Sequence, residues 1–310
     1  ARVIAGLASA NISTAHAYVA DRVEPRRRAK YMGLMGSAIG LGFVFGPALG
    51  GLLSTPEHPQ LPFLVSAGLA ACNLLMALVW LPESRRADRE APAPANSQTP
   101  GASSAASSSG RGRPAWRVIV DALWQTPLGW LVMVNLCFYL AFSAMESTYA
   151  LLLEAVLDWG PQRTGGIFAF LGVVIVVTQG VLVGRMVGRF GERRTLLTGM
   201  SILVVGLVAV GVMRSPWLAF AGSACIAGGN GLMTPSINAM VSRYSDAASQ
   251  GFHMGLSSSA AALGRIFGPV GAGVVFERIG PGVPMLGAAG IVGLAGLLVV
   301  LRLRTPPPSS

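Results

Sequence analysis

Nine apolar runs of about 20 residues each constrain the fold of this sequence more than any other feature. A helix of that length crosses roughly 30 Å of hydrocarbon at 1.5 Å per residue. The predicted spans are 1–20, 31–53, 62–82, 127–150, 164–184, 195–213, 216–241, 252–276 and 283–303. Charged residues are only 12% of the chain, against about 25% in soluble domains. We therefore expect an all-α membrane protein.

The basic residues lie almost entirely on one side of the predicted spans. Lys and Arg are retained on the cytoplasmic side of short loops, so we counted them with the first span running from outside to inside. The inner segments then hold 18 of the 23 basic residues and the outer segments hold three, while Arg2 and Arg265 lie inside spans. The net charge of +10 therefore reflects membrane topology and contact with the inner leaflet, and we expect no nucleic-acid partner.

Cysteine and histidine indicate no metal site and no catalytic centre. The three cysteines lie in apolar spans without a C-x-x-C spacing or a neighbouring histidine: Cys72, Cys137 and Cys225. They are interpreted as small hydrophobic residues. The three histidines are scattered through the chain: His16, His58 and His253. We expect no enzyme activity, metal or cofactor.

The glycine-rich stretch GFVFGPALGG at residues 42–51 has two physical interpretations. A dinucleotide loop needs G-x-G-x-x-G, but the spacing from Gly40 through Gly42 to Gly46 has one residue too many, and no P-loop lysine follows. Within a membrane helix, glycines four residues apart let two backbones approach closely, and Pro47 can kink the helix. We therefore expect a helix-packing face.

An internal repeat determines the predicted architecture. Shifting the chain by 222 residues superimposes identical residues without a gap, including Met32 on Met254, Gly46 on Gly268 and Pro47 on Pro269. The first two spans thus recur as the seventh and eighth, so one unit contains six helices. Because six is even, the two copies cross the membrane in the same direction, as parallel repeats. Nine of twelve helices are then present, and we expect a preceding segment that holds three more.

The repeat and the composition together predict four segments. Residues 1–82 are a partial N-terminal helical half and residues 127–304 a complete six-helix half. Residues 83–126 between them contain APAPANSQTPGASSAASSSGRGRP, which cannot bury enough apolar surface to offset ordering entropy. We expect a flexible cytoplasmic linker there, and a cytoplasmic tail at 305–310.

Three motifs resemble the major facilitator superfamily, and within it the drug:proton antiporters related to tetracycline and multidrug efflux proteins. GFVFGPALGG resembles the antiporter motif of the fifth family helix, G-x-x-x-G-P-x-x-G-G, matched at Gly42, Gly46, Pro47, Gly50 and Gly51. RVIAG at residues 2–6 is similar to the fourth-helix motif. GRMVGRFGERR at residues 184–194 resembles the second copy of the gating-loop motif G-x-x-x-D-R-x-G-R-R.

The resemblance implies roles for these residues. The antiporter motif implies a tight gate-side interface that limits leak and biases the transporter toward export, and Arg2 is linked to proton transfer. The implied gating loop comprises Gly184, Arg185, Arg189, Gly191, Arg193 and Arg194, with Asp21 as a loop-anchoring partner for nearby arginines. Gly188 stands where the motif has Asp, so the arginines are equally explained as anchors.

Two further ionisable residues lie inside predicted spans, where charge is costly and marks candidate functional sites. Glu146 can exchange a proton or meet a cationic substrate, or it can sit near the outer water interface without a special role. Arg265 lies near the middle of its span and can pair with a carboxylate or substrate, or it can hydrogen-bond to backbone carbonyls.

Uncharged polar residues at membrane depth are candidates for a substrate cavity: Asn11, Asn135, Tyr139, Gln179, Asn230 and Asn238. Taken alone, each is more often an interhelical hydrogen bond than a ligand contact. With nearby phenylalanines, the set suits an amphipathic organic molecule better than a sugar.

Together these observations favour a secondary transporter that exports small organic compounds in exchange for protons by rocking of its two halves. We expect a monomeric multi-pass protein of the bacterial inner membrane, in contact with the lipid bilayer. A nutrient symporter and a truncated, transport-incompetent membrane protein remain as alternatives.

Overall fold

The computed structural model describes residues 61–80, 126–245 and 250–303 without a break, together with positions 15, 18, 31, 42, 45, 46, 49–55, 57, 58 and 60. Within these residues the structure is helical and contains no strand. The first predicted span, the linker up to residue 125 and the tail from residue 304 lie outside the described residues, apart from positions 15 and 18.

Eight α-helices have described bounds. They are α1 (Leu61–Trp80), α2 (Pro127–Leu157), α3 (Pro161–Val177), α4 (Val183–Phe190), α5 (Glu192–Gly211), α6 (Pro216–Arg243), α7 (Gln250–Arg278) and α8 (Val283–Arg302). A π-helical turn, Thr178–Leu182, joins α3 directly to α4, so the two helices form one rod. The all-helical prediction is confirmed over the described residues.

The helix bounds agree with the predicted spans within three residues, except at two ends. The rod formed by α3 and α4 continues to Phe190, six residues past the predicted end at 184, and the span 127–150 is also too short. That span was predicted to end at residue 150, whereas α2 continues to Leu157. The helix stops where Asp158 takes a left-handed conformation, with φ of 52°. Glu154 therefore lies within the helix, beyond the predicted end of the span.

Six segments have the length and composition to cross a membrane: Leu61–Trp80, Pro127–Leu157, Pro161–Phe190, Glu192–Gly211, His253–Arg278 and Val283–Arg302. The 28-residue helix α6 is long enough but more polar. Its polar residues Ser223, Asn230 and Ser236 are buried, which is how a bundle satisfies polar groups at membrane depth. The chain is therefore a multi-pass membrane protein.

Residues 43–57 and 114–310 belong to one compact unit, whose described helices pack around a single core. In this unit α5 packs on α6 and α8, α2 packs on α7 and α8, and α3 packs on α6. Helix α1 belongs to the other unit and is apolar on all sides, as expected of a helix in a membrane.

Glycines bring the backbones of α5 and α6 into close contact. A Cβ added to Gly229 of α6 would lie 2.7 Å from the carbonyl oxygen of Gly199 on α5. A Cβ added to Gly206 of α5 would lie 2.7 Å from the carbonyl oxygen of Gly222 on α6. Apolar lipid gives helices no hydrophobic reason to associate, so close backbone packing of this kind supplies the attraction.

Candidate functional site

One face of α2 carries four of the side chains relevant to function. Asn135, Tyr139, Phe142 and Glu146 are separated by four, three and four residues, and this spacing places them on the same side of a helix. Asn135 is buried, Tyr139 and Phe142 are half-buried, and Glu146 is exposed. The face therefore changes from a buried contact near the start of α2 to an accessible carboxylate about 16 Å farther along the helix axis.

Asn135 ties this face to α7. Its side-chain amide donates hydrogen bonds of 2.9 Å to both the carbonyl oxygen and the hydroxyl of Ser257. Both residues are buried. Asn135 therefore makes an interhelical hydrogen bond, and its place in a substrate cavity stays a prediction.

Two glycines bring α7 against α2 beside this face. A Cβ added to Gly264 would lie 2.7 Å from the backbone nitrogen of Leu140, and a Cβ added to Gly268 would lie 2.6 Å from the Leu140 carbonyl oxygen. The Ser143 hydroxyl also donates a 3.3 Å hydrogen bond to the carbonyl oxygen of Arg265. The close approach thus places the backbone of Arg265 directly against α2.

Arg265 extends from this contact over the α2 face. Its guanidinium carbon lies 4.7 Å from the centre of the Tyr139 ring, a cation–π geometry. Arg265 and Glu146 carry opposite charges on neighbouring helices, but their side chains form no direct ion pair among the described residues. Because both residues are exposed in the described structure, their charges remain available to a ligand.

Glu146 stands at a small apolar cavity between α2, α3 and α6. The cavity has a volume of about 60 Å³. Its lining includes Phe142, Met145, Glu146, Phe168, Ile175 and Ile226. Among the described residues that line it, Glu146 alone carries a charge. A carboxylate beside two aromatic rings can bind a proton or a cationic group.

The remaining predicted cavity residues do not join this face through any described hydrogen bond. Asn230 is buried and accepts a 3.1 Å hydrogen bond from Thr234 on its own helix. Gln179 and Asn238 are exposed, and Gln179 lies in the π-helical turn. Sequence reasoning missed a close contact at the start of this turn. A Cβ added to Gly231 of α6 would lie 2.8 Å from the side chain of Thr178.

The predicted gating loop contains an ion pair that sequence reasoning also missed. Glu192 is buried, and its carboxylate lies 3.0 Å from the Arg243 guanidinium at the end of α6. Arg193 donates a 3.1 Å hydrogen bond to the carbonyl oxygen of Val300. The acidic residue of this loop is thus Glu192, four residues after Gly188, the position where the motif has Asp. The GERR sequence itself was the signal that could have identified it.

The other loop residues are less constrained. Gly191 has φ of 77°, a conformation that glycine adopts at little cost. Arg185 donates a 3.3 Å hydrogen bond to the carbonyl oxygen of Val181, and Arg189 lies over Phe190. Arg194 is exposed, and a Cβ added to Gly184 would meet nothing within 4 Å.

The described glycines of residues 42–51 differ sharply in their surroundings. A Cβ added to Gly42, Gly46 or Gly50 would meet nothing within 4 Å, whereas one added to Gly51 would lie 2.6 Å from the Cα atom of Gly165 on α3. Gly51 also lines a cavity of about 410 Å³ beside the end of α2. Within the described part of the stretch, close backbone packing is therefore concentrated at Gly51.

Several predicted site residues lie outside the described residues: Arg2, Asn11, Asp21 and Pro47. Their roles stay predictions.

Comparison with known proteins places the chain in a family. The Major Facilitator Superfamily model matches residues 1–186 and 180–310. The chain is 29% identical over 300 residues to the class C tetracycline resistance protein of Escherichia coli, covering 97% of this chain and 71% of that protein. It is 28% identical over 326 residues to major facilitator superfamily domain-containing protein 10 of Bos taurus, covering 99% and 66% respectively.

Solved structures agree at the level of the fold. The crystal structure of the human organic anion transporter MFSD10 (TETRAN) is similar with a TM-score of 0.66 and 23% identity, covering 96% of this chain and 70% of that chain. A peptide transporter, POT, is similar with a TM-score of 0.53 over 58% of this chain and 38% of that chain. With its all-helical fold and a family match along its whole length, the chain belongs to the Major Facilitator Superfamily.

Proposed function

We propose that the chain is a proton-coupled exporter of small amphipathic organic compounds. The observation that carries this proposal is the position of Glu146, an accessible carboxylate at the edge of an apolar cavity within a membrane-crossing helix. An ionisable side chain at such depth is costly and marks an ion or substrate pathway. The similarity to tetracycline resistance proteins supports the direction of transport.

Glu146 and Arg265 have separate roles in this proposal. Glu146 carries the exchanged proton. Arg265, held over Tyr139, supplies a positive charge that Glu146 faces when it is ionised. The substrate and the proton bind Glu146 alternately. The carboxylate therefore carries the substrate during one half of the transport cycle and the proton during the other, and the two are exchanged across the membrane. Transport proceeds by rocking of the two helical halves around this depth.

The proposal also includes the orientation of the protein in the membrane, its location and the type of its substrates. The end of the described bundle that carries Arg185, Arg193 and Arg243 faces the cytoplasm, following the bias of basic residues. The protein then lies in a bacterial inner membrane and works as a monomer in contact with lipid. Its substrates are organic molecules with an apolar portion, which the rings of Phe142 and Phe168 can accommodate.

The test is substrate uptake into everted membrane vesicles that contain the protein. An imposed pH gradient, acidic inside, should drive accumulation of a fluorescent drug, and a protonophore should abolish it. Glu146→Gln should remove the response to the pH gradient, because an amide cannot carry the proton at this pH.

The matched control is Glu277→Gln. Glu277 is an exposed carboxylate near the end of α7 and lines neither cavity described above, so its variant should keep gradient-driven uptake. Full gradient-driven uptake in Glu146→Gln would refute the role of Glu146. Equal accumulation with and without the gradient in the unmodified protein would refute proton coupling.

A further inference from the structure

We propose that the end of α8, where it packs between α2 and α5, binds the headgroup of an anionic phospholipid. The inference goes beyond the proposed transport activity and rests on it only for the orientation, which places this end of the bundle at the inner leaflet. It follows from three features of the described residues: two arginines without an acidic partner, their unused hydrogen-bond donors and an exposed apolar face on α8.

Two guanidinium groups from different helices lie at the last turn of α8. Arg193, at the start of α5, donates a 3.1 Å hydrogen bond to the carbonyl oxygen of Val300. Arg302, on α8 itself, places its guanidinium carbon 5.2 Å from the centre of the Trp130 ring on α2. Because α8 packs on both α2 and α5, these contacts bring two positive charges to the same helix end.

The positive charge at this helix end is not neutralised by the protein. Neither Arg193 nor Arg302 forms an ion pair with a carboxylate of the described residues. Glu192, the acid adjacent to Arg193, is buried and lies 3.0 Å from Arg243 instead. The end of a helix carries a partial charge of about −0.5, which offsets only part of two guanidinium charges. A ligand with net negative charge is therefore attracted here.

The two arginines also have more hydrogen-bond donors than the described residues have acceptors for them. A guanidinium has five N–H donors, and the bond to Val300 uses one donor of Arg193. The Nε atom of Arg193 is buried and has no partner among the described residues, a state that costs free energy. The Arg302 side chain is exposed. A phosphate group offers several acceptor oxygens and binds such donors in pairs.

An exposed apolar face of α8 leads to these arginines and favours a lipid over a soluble phosphate. Leu294, Leu297 and Leu301 are exposed, and their spacing of three and four residues places them on one side of the helix. The face extends about 10 Å along the helix axis and ends one residue before Arg302. An acyl chain can lie along it while the headgroup meets the guanidinium groups. Trp130 suits the same depth, because tryptophan is enriched at membrane interfaces.

The experiment measures lipid binding to the purified full chain in detergent by native mass spectrometry. Dioleoyl phosphatidylglycerol, which has a net charge of −1, is compared with dioleoyl phosphatidylcholine, which has none. A basic residue near an anionic lipid contributes about fivefold in affinity. With two arginines at the site, phosphatidylglycerol should bind about 25-fold more tightly than phosphatidylcholine.

Charge variants test whether these two arginines cause the preference. Arg193→Gln and Arg302→Gln should each lower the affinity for phosphatidylglycerol about fivefold, and the double variant should bind the two lipids equally. Arg302→Lys restores the charge and should recover most of the affinity. The matched control is Arg214→Gln, which removes an exposed arginine at the other end of α5 and should leave the preference unchanged. Thermal unfolding verifies that each variant remains folded.

Three outcomes would overturn the inference. They are equal affinity of the unmodified protein for the two lipids, a preference for phosphatidylglycerol that the double variant retains, and binding of glycerol 3-phosphate as tight as that of phosphatidylglycerol. The last outcome would assign the arginines to a soluble phosphate compound.

The lipid measurement is independent of transport, because detergent leaves both ends of the protein accessible to lipid. If phosphatidylglycerol binds as expected but drug uptake ignores the pH gradient, the proposed function alone is wrong. If uptake follows the gradient and the lipid preference is absent, the lipid site alone is wrong.

Discussion

The close approach of α2 and α7 predicts that Gly268→Ala destabilises the bundle. The added Cβ would lie 2.6 Å from the carbonyl oxygen of Leu140 and 3.0 Å from the backbone nitrogen of Ala144, whereas ordinary Cβ contacts begin at 3.4 Å. Both obstacles are backbone atoms, so the helices must separate locally by about 0.8 Å. Such overpacking costs about 1–3 kcal/mol.

Gly271→Ala on the same helix is the matched control, because its Cβ would meet nothing within 4 Å. Both variants gain about 1 kcal/mol of helix propensity, so the difference between them isolates the steric cost. At about 2–4 °C per kcal/mol for a domain of this size, Gly268→Ala should unfold at least about 2 °C below Gly271→Ala.

The assay is thermal unfolding of the purified full chain in detergent, followed with a thiol-reactive fluorescent dye. Cys137 and Cys225 are partly buried, so their reaction with the dye reports unfolding. An unfolding temperature of Gly268→Ala equal to or above that of Gly271→Ala would refute the argument from close packing.

Two other contacts lead to predictions at the ends of the helices. Gly51→Ala should reduce gradient-driven drug uptake several-fold, because its Cβ would overlap the α3 backbone. Gly50→Ala should transport normally, since its Cβ meets open space. Equal uptake by the two variants would contradict this prediction. Arg243→Gln should lower the free energy of unfolding by about 1–3 kcal/mol because it leaves the buried Glu192 carboxylate without its partner. Glu192→Gln should cost less, because the Arg243 side chain is 45% exposed and can be hydrated; denaturant unfolding compares the two, and the reverse order would refute the asymmetry.

The helical architecture could be predicted from the sequence because its cause is local. A run of about 20 apolar residues crosses the membrane whatever surrounds it, and spans such as 283–303 agree with the observed helix α8 within one residue. The limit of that reasoning is visible in α2. The helix continues seven residues past the predicted end at residue 150, because the end of a helix depends on capping and packing as well as on polarity.

The candidate site could be predicted only in part. Glu146 and Arg265 were identified individually, because any ionisable residue inside a span is conspicuous. Neither the cavity beside Glu146 nor the stacking of Arg265 on Tyr139 was predicted. Glu192 is visible in the sequence as the acid of GERR, but its pairing could not be predicted because its partner Arg243 lies at the end of another helix.

Apolar length, charge asymmetry and the 222-residue repeat are all readable along the chain, and they are enough to identify a multi-pass helical membrane protein. Which glycines and polar residues contact one another became visible in the folded chain alone. Asn135 and Ser257 are 122 residues apart, and Gly51 differs from Gly50 only in what lies opposite it. Such contacts depend on the distance between two backbones, and that distance is set by every side chain in the interface together.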